Sequence, residues 1–128
     1  MSNLSQQGIL QINSIHTISD FQEVISSNPG TVIIKFSAEW CNPCKKIEPV
    51  VHSYFDTLLT NPTVKIIILD IDVCFELYAF LKTKKMVNGI PSILCYKKGN
   101  LTVIPDNVVI GANNDSVSSF FNAVLLSL

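Results

Sequence analysis

Thr31-Val32-Ile33-Ile34-Lys35-Phe36, then Trp40-Cys41-Asn42-Pro43-Cys44, is the stretch on which the fold of this chain turns. The first segment is rich in β-branched residues and follows a turn at Asn28-Pro29-Gly30, so it reads as a strand. The second holds two thiols three residues apart. If a helix begins there, positions i and i+3 share a face and the sulfurs can meet. Cys41 then lies in the first turn, where unpaired N–H groups and the helix dipole favour a negative charge. That lowers a thiol's pKa and makes it a nucleophile. Cys44 sits deeper and is the resolving thiol. Pro43 suits a first turn, because the N–H it lacks would have no intrahelical partner there. Downstream, Ile47, Val50, Val51, Tyr54, Phe55, Leu58 and Leu59 recur at helical spacing. Pro49 falls inside that pattern and predicts a kink one turn back, near Lys45.

Two plainer readings of the cysteine pair compete with redox chemistry. Tetrahedral zinc needs four ligands, usually a second close pair. Cys74, Cys95, His16 and His52 are scattered and supply no such spacing, so no metal is expected. A structural disulfide over so short a loop gains little from cross-linking. A strand before the pair and a helix after it favour a redox dithiol.

Composition sets the bounds. A length of 128 residues suits one domain, 1–128, with residues 1–8 polar and loose. Hydrophobic content of 48% and charged content of 15% suit a packed core. A net charge of -1, with every basic residue a lysine, argues against nucleic acid and removes the bidentate arginine fork. The longest apolar runs are of strand length, so no membrane partner is expected. Residues 1–10 lack the basic start and apolar run of a secretory signal, and four cysteines without one favour a reducing compartment, the cytoplasm.

Outside the decisive stretch, Ile9–Ile12 reads as a short strand, and Ser19 and Asp20 as caps for a helix carrying Phe21, Val24 and Ile25. Val64–Asp70 is nearly all apolar, as a strand covered on both faces should be. Residues 73–84 look helical, with Cys74, Leu77, Tyr78 and Leu81 on one face and lysines at the end. Ser92–Tyr96 is a strand. Lys97-Lys98-Gly99-Asn100 is a hairpin turn with positive φ at Gly99, and Leu101–Ile110 returns, interrupted at Pro105-Asp106-Asn107. Asn113, Asn114 and Asp115 precede a last helix with Val117, Phe120, Phe121, Val124 and Leu125 on one face. The order βαβα, βα, ββα gives a three-layer α/β/α sandwich.

With these residues placed, the chain resembles the thioredoxin family over nearly its whole length. The resemblance is carried by Phe36, Ala38-Glu39-Trp40-Cys41, Pro43-Cys44-Lys45, Pro49, Asp70-Ile71-Asp72, Gly89-Ile90-Pro91, Lys98-Gly99 and Gly111-Ala112. It implies a central mixed sheet with helices on both faces, Cys41 as the attacking thiol and Cys44 as the resolving one. It also implies a cis bond before Pro91, with Pro91 facing the cysteines. Trp40, Ile90, Pro91, Gly111 and Ala112 would then form the substrate face. The implied partners are protein disulfides and a thioredoxin reductase or other dithiol donor, met by a monomer with no cofactor beyond the redox-active Cys41–Cys44 pair.

The sequence departs from that family in ways that bear on the chemistry. Asn42 replaces the common glycine between the thiols, where residues tune the redox balance with Pro43. The segments from Asp72 to Pro91 and from Gly99 to Gly111 are longer than usual. Lys35 stands where the family has a buried aspartate behind the resolving cysteine, and Ile68 where it has the lysine partner. Lys35 is therefore expected to tune the site by its charge, with Glu48 or Asp70 as a carboxylate within reach. Cys74 and Cys95 read as inert packing residues. The expected function is a thiol–disulfide oxidoreductase that reduces protein disulfides. The competing reading is a binding or scaffold module of the same fold whose dithiol is regulatory or vestigial.

Overall fold

Residues 7–128 are described in the structure, a computed structural model. Five strands form one sheet: β1 (Ile9–Ile12), β2 (Thr31–Ser37), β3 (Val64–Asp70), β4 (Ser92–Lys97) and β5 (Asn107–Ile110). Their order is β1-β3-β2-β4-β5. β1 and β2 run parallel to β3, whereas β4 runs antiparallel to β2 and to β5, so the sheet is mixed. Four helices complete the chain: α1 (Ile18–Ser26), α2 (Asn42–Leu58), α3 (Phe75–Thr83) and α4 (Asn114–Leu126).

The alternation of side chains along β2 explains the layers. Val32, Ile34 and Phe36 join Phe21, Val24 and Ile25 of α1 and Leu77, Tyr78 and Leu81 of α3 in one core. Ile33 points the other way, into a second core with Ile47, Val51 and Phe55 of α2 and Val117, Phe120, Phe121 and Val124 of α4. β2 is thus buried on both faces, which is why its sequence reads as a continuous apolar run broken by one charge, Lys35. The expected three-layer α/β/α sandwich, with its mixed sheet, is the observed fold.

Several local expectations need correction. The N-cap of α1 is Thr17, not Ser19: its side chain accepts from the Asp20 N–H, and the Asp20 carboxylate accepts from the Thr17 N–H. Thr17-x-x-Asp20 is thus a capping box with aspartate in the usual glutamate place. Pro49 lies inside α2 as expected, and the helix continues to Leu58. Cys74 precedes α3 as its N-cap, buried in the core with Leu77 and Tyr78. The segment Leu101–Asp106 is not strand, and β5 begins only at Asn107. Here side chains bind the backbone in place of a ladder. Asp106 Oδ2 accepts from the Lys97 N–H at 2.7 Å, Asn100 Oδ1 accepts from the Thr102 N–H at 2.9 Å, and the Tyr96 hydroxyl donates to the Val103 carbonyl at 2.7 Å. Pro105 has no N–H to give a ladder. The turn before it keeps the expected positive φ at Gly99, +95°. At the start of the chain, Gln7 and Gly8 each donate a backbone N–H to the Leu59 carbonyl, while residues 1–6 of the segment expected to be loose lie outside the described residues.

Candidate active site

β2 ends at Ser37, and the chain turns through Ala38, Glu39 and Trp40 before α2 begins. The Cys41 N–H donates to the Ala38 carbonyl at 3.1 Å, which closes that turn. Cys41 is the N-cap of α2, with extended backbone at φ -86° and ψ 102°. Its sulfur takes the part that a serine or aspartate oxygen usually plays: Cys41 Sγ accepts from the Cys44 N–H at 3.1 Å. Asn42 and Pro43 occupy the first turn and are exposed. Cys41 and Cys44 form a disulfide with their Cα atoms 5.3 Å apart. Both are buried, so burial does not distinguish them; the helix N-terminus does. On reduction, a thiolate at Cys41 keeps the N–H donor and lies on the positive end of the helix dipole, which favours the anion.

Three chain segments meet at this pair. Ala38 packs with the two cysteines, and Ile71 and Ile90 close over the same cluster. Pro91 is buried after a cis Ile90–Pro91 bond, and its carbonyl accepts from the Gly111 N–H at 2.8 Å. Gly111, at φ +99°, makes the turn that brings that N–H to Pro91. Gly89 is anchored from below, its N–H donating to the Tyr78 hydroxyl at 3.0 Å. Ala112 packs instead against the core beneath α2 and α4. Trp40 is 63% exposed and is held by one bond, its Nε1–H donating to Asp72 Oδ2 at 2.8 Å. Asp72 is a site residue whose part the sequence reading did not assign. Its signal was the pair Asp70-Ile71-Asp72 at the end of β3, where the Asp70 carboxylate accepts from the Asp72 N–H at 2.8 Å.

Lys35 lies on the α2 side of β2, in register with Ile68 on β3 and Ile93 on β4, and is 3% exposed. Burial lowers its pKa from 10.5, and the Glu48 carboxylate on α2 acts against that shift. Glu48 stands one turn after Cys44 on α2. When protonated, the Lys35 amine is a buried cation beneath the N-terminal part of the dithiol helix. Because the unfolded chain holds the proton more tightly, it binds more protons than the folded one just below pH 10.5. Stability should then rise as the pH climbs toward that value. Lys35→Met should lack the alkaline rise, and at neutral pH it should lose the cost of keeping a charge out of water at this position. Urea midpoints measured at neutral pH and near pH ~10 check both; a parent protein whose stability falls steadily over that range would contradict the buried cation.

The other two cysteines are free and buried. Burial pushes the Cys74 thiol up to about 11 and the Cys95 thiol up to about 12. At neutral pH neither carries appreciable thiolate, the reactive species. Among the described residues no group of three His, Cys, Asp or Glu side chains could hold a metal ion, and no helix is long and apolar enough to cross a membrane.

Comparison with known proteins agrees with this geometry. The thioredoxin family model matches residues 13–123. Thioredoxin of the rabbit, Oryctolagus cuniculus, is 31% identical over 115 residues, covering 89% of this chain and 99% of that protein. Thioredoxin of the horse, Equus caballus, is 34% identical over 91 residues, covering 69% and 78% respectively. Among solved structures, Plasmodium falciparum thioredoxin superposes with a TM-score of 0.64 at 26% identity, covering 88% of this chain and 97% of that one. Oxidised mitochondrial thioredoxin 3 of Saccharomyces cerevisiae shares the fold, with a TM-score of 0.65 at 23% identity over 90% of this chain and 94% of that one.

Proposed function

Because the chain belongs to the thioredoxin family, and is with that membership a thiol–disulfide oxidoreductase that reduces protein disulfides, we propose the following division of labour in its site. Cys41 attacks as the thiolate: its sulfur bonds to one substrate sulfur and the other leaves as a thiol. Cys44 then loses its proton and attacks Cys41 Sγ, which forms the Cys41–Cys44 disulfide and releases the second substrate thiol. Two electrons pass from the protein to the substrate; of the two protons on the departing thiols, one comes from Cys44 and one from water. The observation that carries this assignment is the Cys44 N–H donated to Cys41 Sγ at the mouth of α2, since it singles out Cys41 as the thiol at the helix end.

Trp40, Ile90, Pro91 and Gly111 serve as the substrate face around the sulfurs, with Ala112 supporting the Gly111 turn from the core side. Asn42 and Pro43 tune the pair from the first turn. Electrons come from a thioredoxin reductase or another dithiol donor, so that the chain works in electron transport as a monomer in the cytoplasm. Two free thiols elsewhere in the fold support a reducing compartment. Lys35 acts by charge and not by proton transfer. A charge that shifts a thiol by about one pKa unit is worth ~1.4 kcal/mol, or about tenfold. Lys35→Met should then slow disulfide reduction by about tenfold or less. General acid–base groups contribute about 10²–10⁴-fold, so a larger loss in the folded variant would make Lys35 a proton carrier.

Insulin-disulfide reduction, driven first by dithiothreitol and then by a thioredoxin reductase with its nicotinamide donor, tests the proposal. Turnover with both donors is expected. Turnover with dithiothreitol alone would leave the dithiol chemistry standing and reject the reductase as donor.

A further inference from the structure

Of the seven phenylalanines, three tyrosines and one tryptophan in the chain, only Trp40 and Phe75 are exposed among the described residues. Trp40 is 63% exposed and Phe75 72%. Both lie beside the same residue. Asp72 accepts the Trp40 indole N–H, and Val73 and Phe75 follow it within one turn. That turn is fixed, because the Val73 and Cys74 N–H groups both donate to the Asp70 carbonyl, at 2.9 and 3.0 Å. Val73 is also exposed, at 47%. Cys74 between them is buried and so anchors the strip to the core, leaving its neighbours outward. Phenylalanine side chains are far more often inside, where their apolar area is removed from water. Two outward aromatic side chains at the mouth of a dithiol mark a contact surface.

The strip itself carries carboxylates and no lysine, and Lys45 lies off it, lining the neighbouring cleft with Glu39 and Asp70. Asp70, Asp72 and Glu76 lie in the strip, Glu39 precedes Trp40, and no lysine occurs between Lys65 and Lys82. Neither Asp72 nor Glu76 is buried.

We propose that Trp40, Val73 and Phe75, flanked by Asp72 and Glu76, form a selectivity arm that takes protein disulfides followed by an apolar and then a basic residue. The proposal rests on the reading of Cys41–Cys44 as the reducing dithiol and extends it to the kind of partner reduced. The dithiol end of the arm is continuous with the sulfurs, since Ile71, next to Asp72, packs against Ala38, Cys41 and Cys44. An extended partner segment advances about 3.3 Å per residue, and Phe75 follows Ile71, which packs at the sulfurs, by four residues. There an apolar side chain covers the ring and a lysine or arginine meets the carboxylates. Small disulfides end before the arm and do not feel it.

The test uses the whole protein, reduced beforehand, and two peptides with the same internal disulfide. One carries Leu-Lys-Lys a few residues after its second cysteine, the other Ser-Glu-Glu. The rate of Cys41–Cys44 oxidation is followed by acid quench and alkylation, with bis(2-hydroxyethyl) disulfide as the small probe. The parent should prefer the Leu-Lys-Lys peptide by about tenfold, a factor that corresponds to about 1.4 kcal/mol, and the preference should shrink with added salt. Phe75→Ser, a change at an exposed position, should lose most of the preference while its rate with the small disulfide stays as in the parent. Equal rates of the parent with both peptides, or an undiminished preference in Phe75→Ser, would overturn the arm while leaving the dithiol reading intact. Failure of the parent to oxidise with bis(2-hydroxyethyl) disulfide would overturn the dithiol reading, and the arm with it.

Discussion

Cys41→Ser should bring protein-disulfide reduction down to background, and Cys44→Ser should do the same to turnover while trapping the substrate. A serine hydroxyl stays protonated at neutral pH and is a far weaker nucleophile than a thiolate. Without Cys41 no mixed disulfide forms. Without Cys44 attack still proceeds, and the substrate remains bonded to Cys41 because nothing resolves it. Non-reducing electrophoresis after incubation with insulin should therefore show a covalent adduct for Cys44→Ser and none for Cys41→Ser. The serine at position 41 can keep the N-cap bond to the Cys44 N–H, so the lost activity should come with nearly native stability. Equal trapping by the two variants would contradict the assignment of attacking and resolving thiols.

Phe121→Ala should be the most damaging of the simple packing changes. The ring is fully buried and stacks on Tyr54 at 4.9 Å between centroids. It meets Phe55 edge-on at 5.8 Å and Phe120 at 5.0 Å. Tyr54 and Phe55 belong to α2, so this one side chain ties α4 to the helix that carries the dithiol. Removing a buried phenylalanine costs about 3–5 kcal/mol, against a total stability of about 5–15 kcal/mol for a typical domain. A urea titration should show the midpoint falling with little change in slope. A loss below ~1 kcal/mol would mean that the aromatic cluster can collapse into the space, or that α4 contributes little to holding α2.

The parts of the fold legible in the sequence were those set by periodicity. Val64–Asp70 was read to the residue, because the unbroken run Ile66-Ile67-Ile68-Leu69 marks a strand covered on both faces. The opposite facing of Ile33 and Lys35 against Val32, Ile34 and Phe36 followed from the two-residue repeat alone. The dithiol was legible because spacing, Pro43 and the preceding strand agree with one another. Legibility failed where a side chain competes with the backbone ladder. Asp106 and Asn100 hold residues 101–106 in a shape that no alternation predicts. Thr17 was missed as a cap because aspartate at the third helical position hides the usual capping box. The contact of Asp72 with Trp40 joins residues 32 apart, so Asp70-Ile71-Asp72 marks Asp72 in the sequence while only folding reveals its partner. The burial of Lys35 was legible, and its charged neighbour was among the two carboxylates considered; choosing Glu48 required α2 to be set over β2.

The bond from the Cys44 N–H to Cys41 Sγ also orders the two chemical steps in time. While Cys41 is a thiolate, the positive end of α2 is occupied, and a second anion at Cys44 would be repelled by the first. Attack on a substrate consumes that charge, since a sulfur in a mixed disulfide is neutral. The helix end is then left without a counter-charge, an effect worth about 0.3–1 kcal/mol at a surface and up to ~2 kcal/mol when partly buried. The Cys44 thiol, on the residue whose own N–H bonds to Cys41 Sγ, is placed to supply an anion there. With Cys41 as the attacking thiol, the same electrostatic potential would serve both sulfurs in succession, and forming the mixed disulfide would itself make Cys44 ready to break it.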